Sequence, residues 1–146
     1  MFNFFKKKGN TKVLKENAFL NKYSENEKAA MIYTLMLVTG INGNYDEEKL
    51  NYTIQQSKVL NFNLEGKAMA VYQEKNAEYA FSIIDEFSKQ KKGWYSVLLG
   101  SILSAGGKLT EKELTLVLHI VEQCGISVKD FQNINATTRA LMKNIK

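Results

Sequence analysis

The chain has 146 residues, of which 45% are hydrophobic and none is proline, so it is long enough for one domain with its own core and is typical of a helical rather than an all-β protein. Its formal net charge of +5 comes from residues 1–15, which hold five lysines and no acid. The other 15 basic residues are balanced by 15 acidic residues. This balance argues against a nucleic-acid-binding face on the rest of the chain. Cys124 is the only cysteine, which excludes an intrachain disulfide framework and predicts a reducing, cytoplasmic location.

Residues 1–10 are predicted to be a basic and aromatic tail, followed by a single helical domain over residues 11–146. Aromatic rings insert at lipid interfaces, and each nearby lysine contributes ~1 kcal/mol at an anionic membrane. The tail therefore predicts a weak contact with the inner, anionic face of a membrane, or with a partner. The alternatives are a solvated terminus and phenylalanines that fold back on the domain. The residues concerned are Phe2, Phe4, Phe5, Lys6, Lys7 and Lys8.

No membrane span or secretory signal is predicted. The longest nearly apolar stretch, residues 29–41, is shorter than the ~20 residues that a membrane-spanning helix needs. The first residues mix phenylalanine with lysine and lack the apolar region of a signal peptide.

The first helix of the domain is predicted over residues 11–23. Ser24 and Glu27 then have the spacing of a capping box, in which the serine hydroxyl accepts from the third helical amide and the glutamate binds the cap amide. The helix that begins there ends at Asn42 and Gly43, a turn pair because both residue types tolerate positive φ. Its apolar positions recur at steps of three and four: Ala29, Ile32, Tyr33, Met36 and Leu37.

Asp46 is predicted to cap the next helix, with Glu47 and Glu48 in the first turn, where the helix dipole favours acids. Two further helices are expected over residues 64–75 and 76–89. The residues predicted to face inward from the capped helix are Leu50, Ile54 and Leu60, with Asn61 as its C-cap.

A turn is predicted at residues 91–93, followed by a helix over residues 94–105 that Gly106 and Gly107 stop.

Thr110 and Glu113 form a second capping-box pattern. The helix that they open is predicted to end at Gly125, and Ser127 is predicted to cap the last helix. The inward-facing residues of the helix between them are predicted to be Leu114, Val117, Leu118 and Val121.

The turn, cap and core positions recur at a spacing of 64 residues, without a gap, which predicts an internal duplication of a helix–turn–helix unit. Each copy would bury its apolar face against the other. The matched pairs are Gly43 with Gly107, Asp46 with Thr110, Leu50 with Leu114, Ile54 with Leu118, Asn61 with Gly125, Phe62 with Ile126 and Asn63 with Ser127.

The segment EKAAMIYTLMLVTGINGNYDEEKL and its echo WYSVLLGSILSAGGKLTEKEL resemble the TerB-like helical domain of tellurite-resistance proteins. The resemblance covers roughly residues 24–131. It implies an all-α, compact bundle of about seven to eight helices and a role in stress-response or membrane-associated complexes. It also implies acidic residues at the turns as possible metal ligands.

This chain departs from that acidic pattern. The turn aspartate is replaced by Asn42 in the first copy and by Gly106 in the second. The later glutamate is replaced by Lys49 in the first copy and is kept in the second copy as Glu113. Hard oxygen ligands with negative charge are what calcium and magnesium need. We therefore expect no metal and no cofactor. The weak metal candidates are Asp46, Glu47, Glu48 and Glu113, whose simpler interpretation is helix capping.

An EF-hand loop is a poor match. Gly107 and Glu113 fit its sixth and twelfth positions, but Ile102, Ser104 and Gly106 stand where carboxylates are required. In the first copy the twelfth position is Lys49, whose ammonium repels a cation.

No catalytic residues are predicted. His119 is the only histidine and is expected at the surface, and Cys124 is expected to be a small buried residue at a helix end. The spacing gives no Ser-His-Asp or Cys-His arrangement, and the glycines fit no phosphate-binding loop.

The leading functional hypothesis is a non-catalytic protein-interaction module of the TerB-like kind, with a protein partner that the sequence does not identify. One alternative is a metal-binding or metal-dependent protein that uses the acidic turn residues. Another is a peripheral membrane-surface protein tethered by its N-terminal tail. No nucleic-acid partner is predicted, because Arg139 is the only arginine and no nucleic-acid-binding motif is present.

Overall fold

The computed structural model describes residues 23–43, 46–105 and 109–135. Four parts of the chain lie outside the described residues: the tail residues Phe2 to Lys8, residues 11–22 of the helix predicted over 11–23, the turn glycines Gly106 and Gly107, and residues 136–146. Everything described is helix or connecting turn, with no strand, which confirms the predicted all-α class. Within these same ranges no helix combines the length and apolar character that a bilayer crossing requires.

The described residues contain seven α-helices and one 3-10 turn. Their bounds are α1 Glu25–Thr39, α2 Glu47–Val59, α3 Lys67–Ala70 followed by the 3-10 turn Val71–Gln73, α4 Ala77–Asp85, α5 Lys89–Ser104, α6 Glu111–Gln123 and α7 Val128–Ile134. α1 lies at the centre and packs against α2, α3, α4, α5 and α6. Its buried apolar residues are Ala29, Ala30, Met31, Ile32, Leu35 and Val38.

Side-chain caps begin most of these helices where the sequence predicts them. The capping boxes of Ser24 with Glu27 and of Thr110 with Glu113 are both complete. Each cap satisfies an amide that has no partner within its own helix. The other capping side chains are Asp46 on α2, Asn76 on α4, Ser88 on α5 and Ser127 on α7.

The predicted turn at residues 91–93 is wrong, because these residues lie within the first two turns of α5. Ser88 accepts a hydrogen bond from the Lys91 amide at 3.2 Å and so starts the helix earlier. Gly93 has open space around its α-carbon and is tolerated as a helical residue.

The predicted helix over residues 64–75 is also wrong in its extent. The Asn63 side chain accepts from the Glu65 amide at 3.0 Å, an Asx turn that delays helix formation until after Gly66. Only the short α3 and the 3-10 turn remain of the predicted helix. The next helix ends at Asp85 rather than Lys89, since Ser88 caps α5.

The inward face of α2 differs from the prediction. Leu60 is buried, but Leu50 and Ile54 are only partly covered. The residues that α2 buries are polar: Lys49, Thr53, Gln56 and Ser57. In α6, likewise, Val117 and Val121 are buried as predicted, whereas Leu114 and Leu118 are partly exposed.

The 64-residue spacing recurs in helix bounds and turn geometry. α2 and α6 each have 13 residues and begin 64 positions apart. Both are followed by a residue with positive φ, Asn61 at 53° and Gly125 at 72°. The amides of Phe62 and Ile126 then close the same turn back onto their helices. The duplication itself stays a prediction.

Candidate functional site

The turn after α1 contacts the start of α6 in the folded chain. Asn42, in the turn after α1, donates its amide nitrogen to Glu113 Oε2 at 3.3 Å, and the Thr110 hydroxyl donates to Asn42 Oδ1 at 3.5 Å. Gly43 follows Asn42 with a φ of +91°, a conformation that favours glycine and that allows the turn to reverse here. The turn after α1 therefore lies against the first turn of α6.

Glu113 serves both its own helix and the neighbouring hairpin. Its side chain is buried, and Oε1 accepts the Thr110 amide at 2.9 Å to complete the capping box. Its second oxygen faces Asn42 and the ammonium of Lys49, whose Nζ lies 3.7 Å away. The carboxylate thus links the start of α6 to Asn42, in the turn after α1, and to Lys49 in α2.

Lys49 is fully buried, which is rare for a lysine. Its ammonium donates to the Ala105 carbonyl at 2.7 Å and to the Leu103 carbonyl at 3.4 Å. Carbonyls at a helix end have no intrahelical partner and carry the negative end of the helix dipole, so they suit a cation. A buried ammonium needs such partners, because an isolated buried charge is very costly.

The inner face of α2 around Lys49 is lined by hydroxyl groups. The Thr53 hydroxyl donates to the Lys49 carbonyl at 3.0 Å and lies 3.4 Å from the Thr39 hydroxyl, which donates to the Leu35 carbonyl. Farther along, the buried Gln56 Nε2 has no hydrogen-bond partner among the described residues. The buried face of α2 is therefore polar.

Sequence reasoning missed Lys49 as a site residue and used it only as an argument against calcium. A signal was present, because Lys49 and Glu113 are matched by the repeat and carry opposite charges. Hydrophobic periodicity could not use that signal, since it treats a lysine as an outward-facing residue.

The acidic candidates at the start of α2 have structural partners. Asp46 Oδ1 accepts the amides of Glu48 and Lys49 at 3.0 and 3.2 Å, while Glu47 and Glu48 point to solvent. Among residues 23–43, 46–105 and 109–135, no group of three or more His, Cys, Asp and Glu side chains is arranged to hold a metal ion. Of these four candidates, Glu113 is the one that contacts the turn after α1, through Asn42.

A second ion pair joins residues that are also 64 positions apart, Glu27 and Lys91. Lys91 Nζ lies 3.1 Å from Glu27 Oε1, with side-chain exposures of 19% and 25%, and it also lies over the Tyr23 ring at 4.9 Å. Two oppositely charged repeat-matched pairs therefore span the two halves, one at each end of α1 and α5.

Neither His119 nor Cys124 stands in a reactive environment. His119 is exposed on α6, with its ring edge-on to Phe81 at 5.8 Å. Cys124 is fully buried, and burial, with a smaller contribution from Asp85, raises the thiol pKa to about 12. A protonated, buried thiol is a weak nucleophile.

A cavity of about 420 Å³ opens between α1 and the α3 segment. Its walls are mostly apolar and rich in tyrosine and methionine: Tyr33, Met36, Leu64, Glu65, Gly66, Met69, Ala70 and Tyr72. We call this the Tyr–Met groove. Tyr33 and Tyr72 stack with their ring centroids 4.7 Å apart, and the buried Tyr72 hydroxyl has no partner among the described residues.

The Tyr–Met groove exists because the chain over residues 64–75 is not a continuous helix. After the Asx turn at Asn63, α3 starts only beyond Gly66, and its Met69 lines the same cavity as Tyr33 and Met36 of α1. Sequence reasoning treated the segment as a packed helix and so predicted no cavity here.

A larger cavity of about 610 Å³ lies between α5 and α7. It is lined by lysines 89 and 92 together with Asp130, and by the apolar side chains of Ile126 and Ile134. Lys92 is already paired with Asp85 at 3.5 Å, so the charges in this cavity favour neither an anion nor a cation.

Comparisons of this chain with known protein families, with curated proteins and with solved structures found no match.

Proposed function

We propose that this protein is a non-catalytic interaction module that binds a partner polypeptide in the Tyr–Met groove. The observation that carries the proposal is the composition of that groove, five large apolar or aromatic side chains around one carboxylate. Tyrosine and methionine are enriched at the centres of protein–protein interfaces, and methionine adapts its shape to different partners.

The groove favours one kind of partner. Its apolar walls suit a short apolar segment of a polypeptide, and Glu65, exposed at the rim, suits a basic residue beside that segment. The resemblance to the TerB-like domain adds the context of a cytoplasmic stress-response or membrane-associated complex. That context belongs to the proposal.

The test is a charge placed in the groove. Met69→Glu puts a carboxylate into the groove. The matched control, Val97→Glu, alters a 42%-exposed residue of α5 that does not line the groove. Both tagged variants and the wild type are expressed in the native cells, and the proteins that they capture are quantified by mass spectrometry. Circular dichroism and thermal melts establish that both variants fold.

We expect Met69→Glu to capture at least tenfold less of a partner, which corresponds to about 1.4 kcal/mol of binding free energy. Val97→Glu should capture as much of it as the wild type. The purified partner must then bind the purified wild type and not Met69→Glu. Equal binding to the two folded variants would refute the groove as the contact.

A further inference from the structure

The N-terminal tail of this chain has the chemistry that the Tyr–Met groove favours in a partner. Three phenylalanines stand within the first five residues, and three lysines follow them directly. The groove offers tyrosine and methionine side chains, against which aromatic rings pack favourably. Glu65 is the one charged residue among the described residues that line it. The tail residues concerned are Phe2, Phe4, Phe5, Lys6, Lys7 and Lys8.

We infer that residues 2–8 occupy the Tyr–Met groove of their own chain, as an internal ligand that a partner polypeptide must displace. The phenylalanine rings bind among the tyrosine and methionine side chains, and the lysines bind at the rim beside Glu65. This inference rests on the groove being the binding site proposed above. It adds that the free protein is autoinhibited.

The tail is long enough to reach the groove from the point where the described chain begins. Tyr23 is buried there, with its ring centroid 5.6 Å from those of Phe87 and Trp94. From Tyr23, α1 leads to the groove at Tyr33, about 15 Å away at 1.5 Å per residue. Residues 9–22, which connect the tail to Tyr23, span about 45 Å when extended and about 20 Å as a helix. Either conformation covers the distance.

Charge and connectivity both favour the tail as the occupant. Its lysines carry the charge that Glu65 attracts. Because the tail belongs to the same chain, its effective concentration at the groove is about 1 mM. A tail that binds with a Kd of about 0.1 mM would then fill the groove in about nine-tenths of the molecules and weaken the binding of a partner about tenfold.

The first experiment follows the methionine methyl groups of the full chain by nuclear magnetic resonance, since a nearby aromatic ring shifts a methyl resonance. The tail variant carries Phe2→Ser, Phe4→Ser and Phe5→Ser. The matched control carries Asn3→Ser and Asn10→Ser, which change polar residues of the same tail. Circular dichroism establishes that both variants fold.

We expect the tail variant to shift the methyl resonances of Met36 and Met69, which line the groove. Met31 is fully buried in the core and does not line the groove, so its resonance should stay unchanged. The control should match the wild type at all three methyl groups. Unchanged Met36 and Met69 resonances, or an equal change at Met31, would overturn the inference. Shifts that disappear on dilution would also overturn it, because the tail would then occupy the groove of a second copy.

The second experiment repeats the capture assay with the tail variant. It should capture about tenfold more of the partner whose capture Met69→Glu abolishes. Unchanged capture overturns autoinhibition by the tail and leaves the groove as the site of the partner. If the tail variant shifts the groove methionines but Met69→Glu loses no partner, occupation of the groove by the tail is supported and the proposed function is refuted.

Discussion

Lys49 and Glu113 occupy the same position in α2 and α6, helices that begin 64 residues apart, and their charged groups meet in the interior at 3.7 Å. At this position α2 contributes the cation and α6 the anion. The pair joins α2 to α6 next to Asn42, in the turn after α1.

Glu113→Gln should be strongly destabilising. Glutamine keeps the capping-box geometry but removes the charge, so the Lys49 ammonium stays buried without a counter-ion. We expect a loss of about 3–5 kcal/mol in the free energy of unfolding, measured by urea denaturation. The double variant Lys49→Met with Glu113→Gln should lose less than the sum of the single losses. Additive losses would mean that the two charges do not interact.

The two repeat-matched ion pairs should respond differently to salt. The Glu27–Lys91 pair is partly exposed, whereas the side chains of Lys49 and Glu113 are 0% and 3% exposed. Mobile ions screen the first pair and not the second. We expect a coupling energy of about 0.5 kcal/mol for Glu27–Lys91 at low salt, falling towards zero in about 0.5 M sodium chloride. Double-mutant cycles at low and high salt measure the coupling energy of each pair. If salt also removed the coupling energy between Lys49 and Glu113, the burial of that pair would be contradicted.

Alkali should destabilise the protein partly through Cys124. Burial raises the pKa of its thiol from 9.0 to about 12, so between these values the folded state holds a proton that the unfolded state has lost. Stability from this group is complete below pH 9 and is lost as the pH rises towards 12. Burial also raises the pKa of Tyr95, which adds a similar loss from pH 10 upwards.

Urea melts at half-unit steps from pH 8 to pH 11 test this. The wild-type free energy of unfolding should fall with pH more steeply than that of Cys124→Ala, by up to 1.36 kcal/mol for each pH unit above 9. Parallel curves would show that the thiol titrates alike in both states. At pH 8 the folded thiol should also resist thiol-specific reagents until urea unfolds the chain.

Gly125→Ala should cost more than Asn61→Ala. Both positions have positive φ, a conformation that costs an alanine about 1 kcal/mol. At Gly125 an added Cβ also meets the Asp85 carboxylate and the Lys92 ammonium, which form an ion pair over this turn. We expect losses of about 2 kcal/mol for Gly125→Ala and about 1 kcal/mol for Asn61→Ala in thermal unfolding. Equal losses would exclude a steric contribution from the ion pair.

Deletion of residues 1–8 tests the predicted membrane contact. The three lysines among them should contribute about 1 kcal/mol each at an anionic surface. The full chain should therefore float with vesicles rich in phosphatidylserine at low salt, and the deletion variant should not. Neutral vesicles serve as the control, and equal flotation of the two chains would rule out the tail as a tether.

The amino-acid sequence by itself determined the helical class and most helix starts. A cap can be recognised in the sequence because the residues that form it lie within three or four positions of one another. Ser24 with Glu27 and Thr110 with Glu113 are such cases, and both are formed as predicted. The exposure of His119 and the burial of Cys124 were also predicted from local pattern.

Only the tertiary structure decided which polar residues enter the interior. The pairing of Lys49 with Glu113 and with the carbonyls of α5 depends on contacts between residues more than 50 positions apart, and no helical period encodes them. The same holds for the Tyr–Met groove, where the Asx turn at Asn63 breaks an expected helix and opens a cavity against α1. Contacts between residues distant in sequence decide which helix faces are buried and where a predicted helix is interrupted. The Lys49–Glu113 pair and the Tyr–Met groove depend on such contacts, so they could be identified only from the tertiary structure.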